Sequence, residues 1–458
     1  MRTGHFCLTI SLTLVPSLVA AQTTPLDRQL VEDGRRIFFE ETFDGNGRTC
    51  GTCHPAEHNF TIDADFIAAL PPDDPLFVAE FNPALAELEN PTLLREFGLI
   101  LENVDGFDQP PVFRGVPHNV GMTVSILADV EHLGPTRDAV GWSGDGAPGD
   151  GTIRDFLTGA ITQHFPRTLA RVPGQDFRLP TDAELDAVAA FMLSLGVQGP
   201  LRPIERRTFA DLDVAAGHRL FQGLDGANRA CTACHGNAGA LDADGINANF
   251  DTGVRLVPTL DPEALAGAVL NPDGGFGGEP VEGVAGFGDG TFNAPSLLEV
   301  ADTPPFFHNN SAETIEDAVA FYTGPIFASS PSGAFGGPFN LDPAQVDQVA
   351  AFLRVLNSMH NGFMSVELSR EAQRLRGAEA SARIIEVIAE TEDAIEVLEG
   401  ARLGFFRDAL APLRTALSLE LRALGTRDDA QRNRLLAEAQ DMKFVSSDFL
   451  TGRRVASR

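Results

Sequence analysis

Cys50 and Cys53 stand three positions apart with His54 directly after the second, and Cys231, Cys234 and His235 repeat the arrangement. Two thiols at this spacing, on a turn entering a helix, reach both vinyl groups of one porphyrin, and the next imidazole turns under the ring to ligate iron. The pattern is the attachment signature of a c-type haem, with a proximal histidine on the metal. One such pentapeptide arises by chance or as a redox pair. Two of them, using every cysteine except Cys7, make two covalently bound haems the strongest chemical reading of the chain.

Each signature follows a block of the same design. Asp33-Gly34-Arg35-Arg36-Ile37-Phe38 stands ahead of the first, and Ala216-Gly217-His218-Arg219-Leu220-Phe221 ahead of the second, so the sites belong to an internal repeat. Each block predicts a helix running into a loop. The loops, Asp44-Gly45-Asn46-Gly47-Arg48 and Asp225-Gly226-Ala227-Asn228-Arg229, carry Gly and Asn turn chemistry just before the cysteines. Each unit also closes on a helix: Thr181 caps one that runs to Leu195, and Asp342-Pro343 opens one that runs to Leu356. A loop-rich helical unit between two such helices looks like a cytochrome c domain. The expected fold is mainly α, with two cytochrome c-like haem domains, long Gly/Pro-rich loops and a C-terminal helical extension. A signal peptide is expected over 1–21, the N-terminal domain over 22–202, the C-terminal domain over 203–362 and the extension over 363–458. The two domains should meet near Gly199-Pro200 to Pro203.

The 458 residues and 43% hydrophobic composition suffice for two or three cores. Acidic residues outnumber basic ones by 64 to 34, a formal charge of −30, and Lys443 is the only lysine. Such a surface repels nucleic acid and anionic lipid, which argues against both as partners. Arg2, the apolar run from Phe6 to Leu14 and the small residues Val19-Ala20-Ala21 ahead of Gln22 read as a secretory signal peptide. No later stretch approaches the roughly 18 uninterrupted apolar residues of a membrane span. The expectation is a mature periplasmic protein that has lost Cys7 with its signal. Four cysteines in an exported chain usually suggest disulfides, but their spacing assigns them to haem.

Gly and Pro are so dense from Pro258 to Phe292, and again from Gly324 to Pro343, that irregular loops around the second haem are expected. From Ser365 to Gln440 the composition turns to Glu, Ala, Arg and Leu with apolar residues at helical spacing, such as Ile384, Ile388, Ile395 and Leu398. Gly400 and Gly425 divide this tail into about three helices. The tail is expected to pack on the haem domains or in a homodimer.

Phe292-Asn293-Ala294-Pro295-Ser296-Leu297, then Thr303-Pro304-Pro305-Phe306-Phe307-His308-Asn309-Asn310, then Thr314-Ile315-Glu316-Asp317-Ala318-Val319-Ala320-Phe321-Tyr322, resemble the bacterial di-haem cytochrome c peroxidase and MauG family. With both signatures the resemblance covers about residues 28 to 360. It implies a peroxide-reactive amino-terminal haem, an electron-relaying carboxy-terminal haem and a calcium ion between the domains. Tyr322 stands where the peroxidases place a methionine ligand to the second haem and MauG-like members a tyrosine. A phenolate oxygen favours ferric and higher states, whereas a thioether raises the potential. Met359 is the alternative ligand. Trp142, ahead of Ser143-Gly144-Asp145-Gly146, resembles the family's Trp-Asp-Gly segment between the haems, with Ser143 inserted and the usual Arg missing; it is either a hole carrier or a structural side chain. Gln163 and His164 fall where the family places distal residues, and His164 would serve as an acid/base. His58, His118 and His132 compete with it. His308 matches a family histidine near the second haem. Thr303 and Pro305 match positions whose carbonyls bind calcium, although the Asn partner expected near Gly115 to Pro117 is missing.

The leading functional expectation is a di-haem oxidoreductase that reduces hydrogen peroxide at the His54 haem, with electrons passing through the His235 haem from a protein donor or protein substrate of cytochrome c or cupredoxin type. The alternatives are a di-haem oxygenase resembling the rubber-cleaving enzymes, which needs an apolar distal pocket, and a non-catalytic carrier with a second protein ligand on each iron.

Overall fold

The computed structural model describes residues 28–102, 112–123, 140–142, 152–196, 204–240, 247–257, 275, 290–334, 337–404 and 406–452. The signal-peptide segment, the domain boundary near residues 199–203, His132, residues 143–146 and most of the stretch from 258 to 289 lie outside them. In chain order the principal elements are α1 (Arg28–Glu40), β1 (Leu99–Glu102), β2 (Val112–Gly115), α2 (Ile153–His164), α3 (Asp182–Leu193), α4 (Leu212–Phe221), β3 (Asn249–Phe250), β4 (Phe292–Asn293), α5 (Ile315–Phe321), α6 (Pro343–Ala372), α7 (Gly377–Glu399), α8 (Arg407–Leu424) and α9 (Asp429–Thr451). The fold is mainly helical, and β1 pairs antiparallel with β2 as β3 does with β4.

Each repeated block is built on one close helix crossing. α1 buries Gly34, Ile37 and Phe38, and a Cβ on Gly34 would stand 1.9 Å from the carbonyl oxygen of Ala187 in α3. Only glycine permits that approach. In α4, a Cβ on Gly217 would stand 1.8 Å from the carbonyl oxygen of Gln348 in α6, so the same residue of the repeat does the same work. Phe38 and Phe221, one turn after each glycine, are both 1% exposed and fill the two cores. α3 opens with the reciprocal cap of Thr181 and Glu184, and α6 with that of Asp342 and Gln345 and a proline at its first position.

Two expectations need correction. α6 does not stop near Leu356 but runs unbroken to Ala372, because its buried stripe continues through Ser365, Val366, Ser369 and Ala372. Gly362 inside it costs only about 1 kcal/mol, so the second unit and the extension share one helix across residue 362. The stretch from Gly324 to Pro343, expected to be irregular, holds two short helices, Pro325–Ser329 and Pro331–Ala334. Each begins on a proline, where the missing N–H leaves no helical bond unmade.

Gly400 and Gly425 end α7 and α8 as expected. The extension packs on the second unit: Ala394, Ile395 and Leu398 of α7, Ala409 and Leu413 of α8 and Leu450 of α9 join its core. Burial at about 1.5–3 kcal/mol per large apolar side chain makes them one body. In the middle of α6–α9, Lys443 pairs with Glu420 and donates to Ser365 Oγ at 2.6 Å, which lies 2.9 Å from Thr391 Oγ1. The chain's only lysine is thus buried in a polar layer supplied by all four helices. Among the described residues no helix is long and apolar enough to cross a membrane.

Candidate haem sites and the seam between them

The four cysteines form no disulfide and stand as thiols. Burial raises Cys50 and Cys231 to about 12 and Cys53 to about 11, so each of these three stays protonated at neutral pH. His54 Nδ1 lies 2.8 Å from the carbonyl of Phe60, and His235 Nδ1 lies 3.0 Å from that of Pro295. A carbonyl only accepts, so Nδ1 carries the proton in each ring and Nε2 keeps a lone pair. Burial lowers both imidazoles to about 4, which keeps them neutral. Two thiols and one neutral imidazole, oriented through Nδ1 by a backbone carbonyl, are what a covalent haem takes. The residues present fit the group at both places.

The arginine two positions before each first cysteine also repeats. Arg48, 1% exposed, donates to the carbonyls of Pro75 and Leu76 and pairs with Glu89 at 2.9 Å. Arg229 donates to the carbonyls of Ser332 and Gly337 and lies over Phe327 and Phe339. Each guanidinium clamps a distant loop against the attachment turn. In the sequence these arginines were visible only as the ends of turns.

Around the first signature, Phe38, Phe39, Phe60 and Phe191 form an aromatic cluster, and His54 lies 6.1 Å from Phe38. His164, at the end of α2, is close enough to feel the charge of His54. Its Nδ1 stands 4.0 Å from Glu89 and its Nε2 3.9 Å from Glu102. Burial and the charges of Arg48, Arg171 and His54 lower it to about 3. Two carboxylates beside a histidine would normally raise it. Here Arg48 offsets Glu89, and Arg171 lies within reach of Glu102, so the ring sees no net negative charge and stays neutral. Gln163 is 2% exposed, donates to the carbonyl of Leu101 at 3.3 Å and has no partner for its Oε1. Glu89, Glu102 and Arg171 went unrecognised in the sequence, since no local spacing ties them to Cys50. Of the competing histidines, His58 is engaged with Asp63 at 3.3 Å and stacks on Phe66, whereas His118 is half-buried within electrostatic range of His54.

Residues 214–357 match the family model described as Cytochrome c. This stretch is a cytochrome c domain. No curated protein matches the chain.

The cytochrome c domain begins in α4 and ends in α6, the helices that meet at Gly217. A domain of this family carries a covalently bound c-type haem, and Cys231, Cys234 and His235 are the residues within it that fit the group. Tyr322, at the C-terminal end of α5, packs among Phe307, Phe321, Phe327 and Phe339. Burial raises its hydroxyl, and Cys234 and Cys231 add to the shift. Met359 instead packs against the domain's hydrophobic core. His308 is 2% exposed and stacks on Phe292 with ring centres 3.8 Å apart.

Between the cytochrome c domain and the first unit runs a polar seam. Trp142 Nε1 donates to the carbonyl of Gly115 at 2.8 Å, and the Trp142 backbone carbonyl accepts from the N–H of Asn293 at 2.9 Å, so the residue is tied to both sides, its indole to Gly115. Asn310 Nδ2 donates to the carbonyl of Phe97 at 2.9 Å. Asn59, just after the first signature, donates to the carbonyl of Asp302 and hydrogen-bonds the carboxyl of Asp393 in α7. Thr303 is buried with its hydroxyl on the carbonyls of Glu299 and Val300, and Pro305 follows a cis peptide bond. At Gly115 the space of a side chain is taken by Asn310 Oδ1, 1.9 Å from where a Cβ would stand. No asparagine donor reaches Thr303 and Pro305 from there, and among the described residues no group of three or more His, Cys, Asp or Glu is arranged to hold a metal.

Proposed function

We propose that the chain is an exported, periplasmic di-haem oxidoreductase of the peroxidase and MauG type. Cys50, Cys53 and His54 would hold a haem suited to reaction with hydrogen peroxide, and Cys231, Cys234, His235 and Tyr322 would hold one suited to taking electrons from a cytochrome c or cupredoxin type partner or from a protein side chain. Bound haem supplies the redox chemistry, and the chain supplies the asymmetry between its two pockets. That asymmetry is the observation that carries the reading. His54 has a neutral, charge-flanked imidazole nearby, whereas the cysteines of the cytochrome c domain have a phenol. A polar first pocket favours peroxide over an oxygenase that needs apolar walls.

In this reading His54 and His235 would each hold an iron through Nε2, while the carbonyls of Phe60 and Pro295 hold the rings in orientation. His164, neutral at working pH, would be available there as a proton acceptor and donor. Gln163 offers the unpaired Oε1 as a further acceptor in the pocket. Trp142 and His308 stand in the seam that electrons must cross.

The test is electron paramagnetic resonance of the ferric protein, followed by one equivalent of hydrogen peroxide. A high-spin signal from one haem that peroxide abolishes is the expected result, with Tyr322→Phe altering the signal of the other haem only. Two low-spin haems in every redox state would mean a carrier. An unchanged spectrum in Tyr322→Phe would remove the tyrosine ligand.

A further inference from the structure

α7 of the extension reaches past the second unit to the first. Arg383 Nη2 stands 3.4 Å from Glu32 in α1, and Asp393 hydrogen-bonds Asn59, which follows shortly after His54. The same Asn59 side chain donates through Nδ2 to the carbonyl of Asp302 at 3.0 Å. Asn59 and Phe60 both adopt positive φ, at 51° and 58°. Asparagine tolerates that left-handed region, whereas a bulky phenylalanine is strained there. Such strain persists only where the surroundings over-determine it. Phe60 is fixed in three ways: its N–H donates to the carbonyl of Pro55 at 2.9 Å, its ring lies among Phe38, Phe39 and Phe191, and the side chain before it is tied to the seam. What the strained residue delivers is its carbonyl, the acceptor for His54 Nδ1 at 2.8 Å. His235 takes its acceptor from Pro295, 60 residues further on, so the arrangement belongs to the first site alone.

We propose that the helical extension sets the proximal histidine of the first site: Asp393 and the Asp302 carbonyl hold Asn59, Asn59 keeps Phe60 in its left-handed conformation, and the Phe60 carbonyl holds the N–H of His54. This rests on the reading that the first signature carries a haem. Asn59 and Asp393 are positioning residues, acting on the imidazole through the Phe60 carbonyl. A histidine that donates its Nδ1 proton to a carbonyl is a more basic ligand at Nε2, which favours ferric iron over ferrous. With Asn59 released, Phe60 relaxes towards negative φ, its carbonyl turns from Nδ1, and the imidazole becomes the weaker ligand. His235, held by Pro295, is left as it was. The tail that composition sets apart thus acts on the unit furthest from it in the chain.

Redox titration of the holoprotein, followed by electron paramagnetic resonance so that the two haems are read separately, tests the tie. Asn59→Gly keeps the positive φ available and removes the side chain's bonds, whereas Asp393→Ala removes the acceptor in α7. In each, the ferrous-to-ferric ratio of the first haem at a fixed potential is expected to rise at least tenfold, about 59 mV for one electron, with the second haem unmoved. The double variant should go no further than the larger single shift, because both cut one tie. Asp393→Asn keeps an acceptor and should stay within threefold of wild type; it removes the same charge as Asp393→Ala, so the difference between them reports the hydrogen bond. Asn59→Gly alone decides if Asp393→Ala fails to load haem. A first-haem ratio within twofold of wild type in Asn59→Gly and Asp393→Ala would overturn the inference and leave the di-haem reading standing. Equal shifts of both haems, or equal shifts in Asp393→Asn and Asp393→Ala, would overturn it too. A wild-type chain with one haem, counted by the pyridine haemochrome assay, would overturn the di-haem reading and this inference with it.

Discussion

The backbone N–H of Gly115 donates to the carbonyl of His308 at 2.7 Å, joining the last residue of β2 to the histidine that stacks on Phe292. Gly115 also receives Trp142 Nε1 on its own carbonyl. One glycine therefore ties together three segments of the seam.

Gly115→Ala should loosen that seam, because the new methyl would stand 1.9 Å from Asn310 Oδ1 and displace a side chain that holds the carbonyl of Phe97. The expected loss is about 1–3 kcal/mol of stability, typical of overpacking, measured by urea unfolding. In the proposed di-haem protein, slower electron exchange across the seam should accompany it. A variant as stable as wild type would show that the seam yields freely at this point.

If the chain carries the two proposed haems, Gly34→Ala and Gly217→Ala should act on them separately. Each adds a Cβ within 2 Å of a carbonyl in the helix crossed, that of Ala187 or that of Gln348. Flexible neighbours could give way, but two packed backbones cannot do so cheaply. Each variant should lose one haem per chain while keeping the other, counted by the pyridine haemochrome assay with mass spectrometry of the two attachment peptides. Loss of both haems in either variant would show that the two units do not fold independently of each other.

The junction of α7 with the seam should make stability depend on pH. Burial, reinforced by the charge of Asp302, raises Asp393 to about 8; burial raises Asp302 to about 7 and Glu390 upward as well. A carboxyl whose folded pKa lies above its unfolded value stabilises the fold fully below the unfolded value, near 4. That contribution is lost as pH rises through the folded values, here towards 8. Asp393→Asn keeps an acceptor for Asn59 and removes the charge. Its gain in stability over wild type should be about 1–3 kcal/mol larger at pH 9 than at pH 5. Each tenfold change in proton affinity on folding is worth about 1.4 kcal/mol, and the neighbouring carboxyls share it. Equal effects at both pH values would mean that this carboxyl is ionised at no cost.

What the sequence determined by itself is local. Cys50, Cys53 and His54, and their counterparts at 231, 234 and 235, lie within five residues, so the chemistry of attachment needs only a turn. The caps at Thr181 and Asp342 and the breaks at Gly400 and Gly425 were legible for the same reason, because a helix end is satisfied by residues three or four positions away. The repeated Gly34 and Gly217 were visible as a pattern, but only the crossing against Ala187 and Gln348 explains them. The full length of α6 past Gly362 was not legible, because tertiary burial of Val366 and Ala372 outweighs a weak local preference. Tertiary structure alone brought Glu89 and Glu102 to either side of His164 and placed Asp393 beside Asn59. Those groups are tens to hundreds of residues apart, so only the packing of whole helices decides which charges meet, and with them whether His164 is neutral.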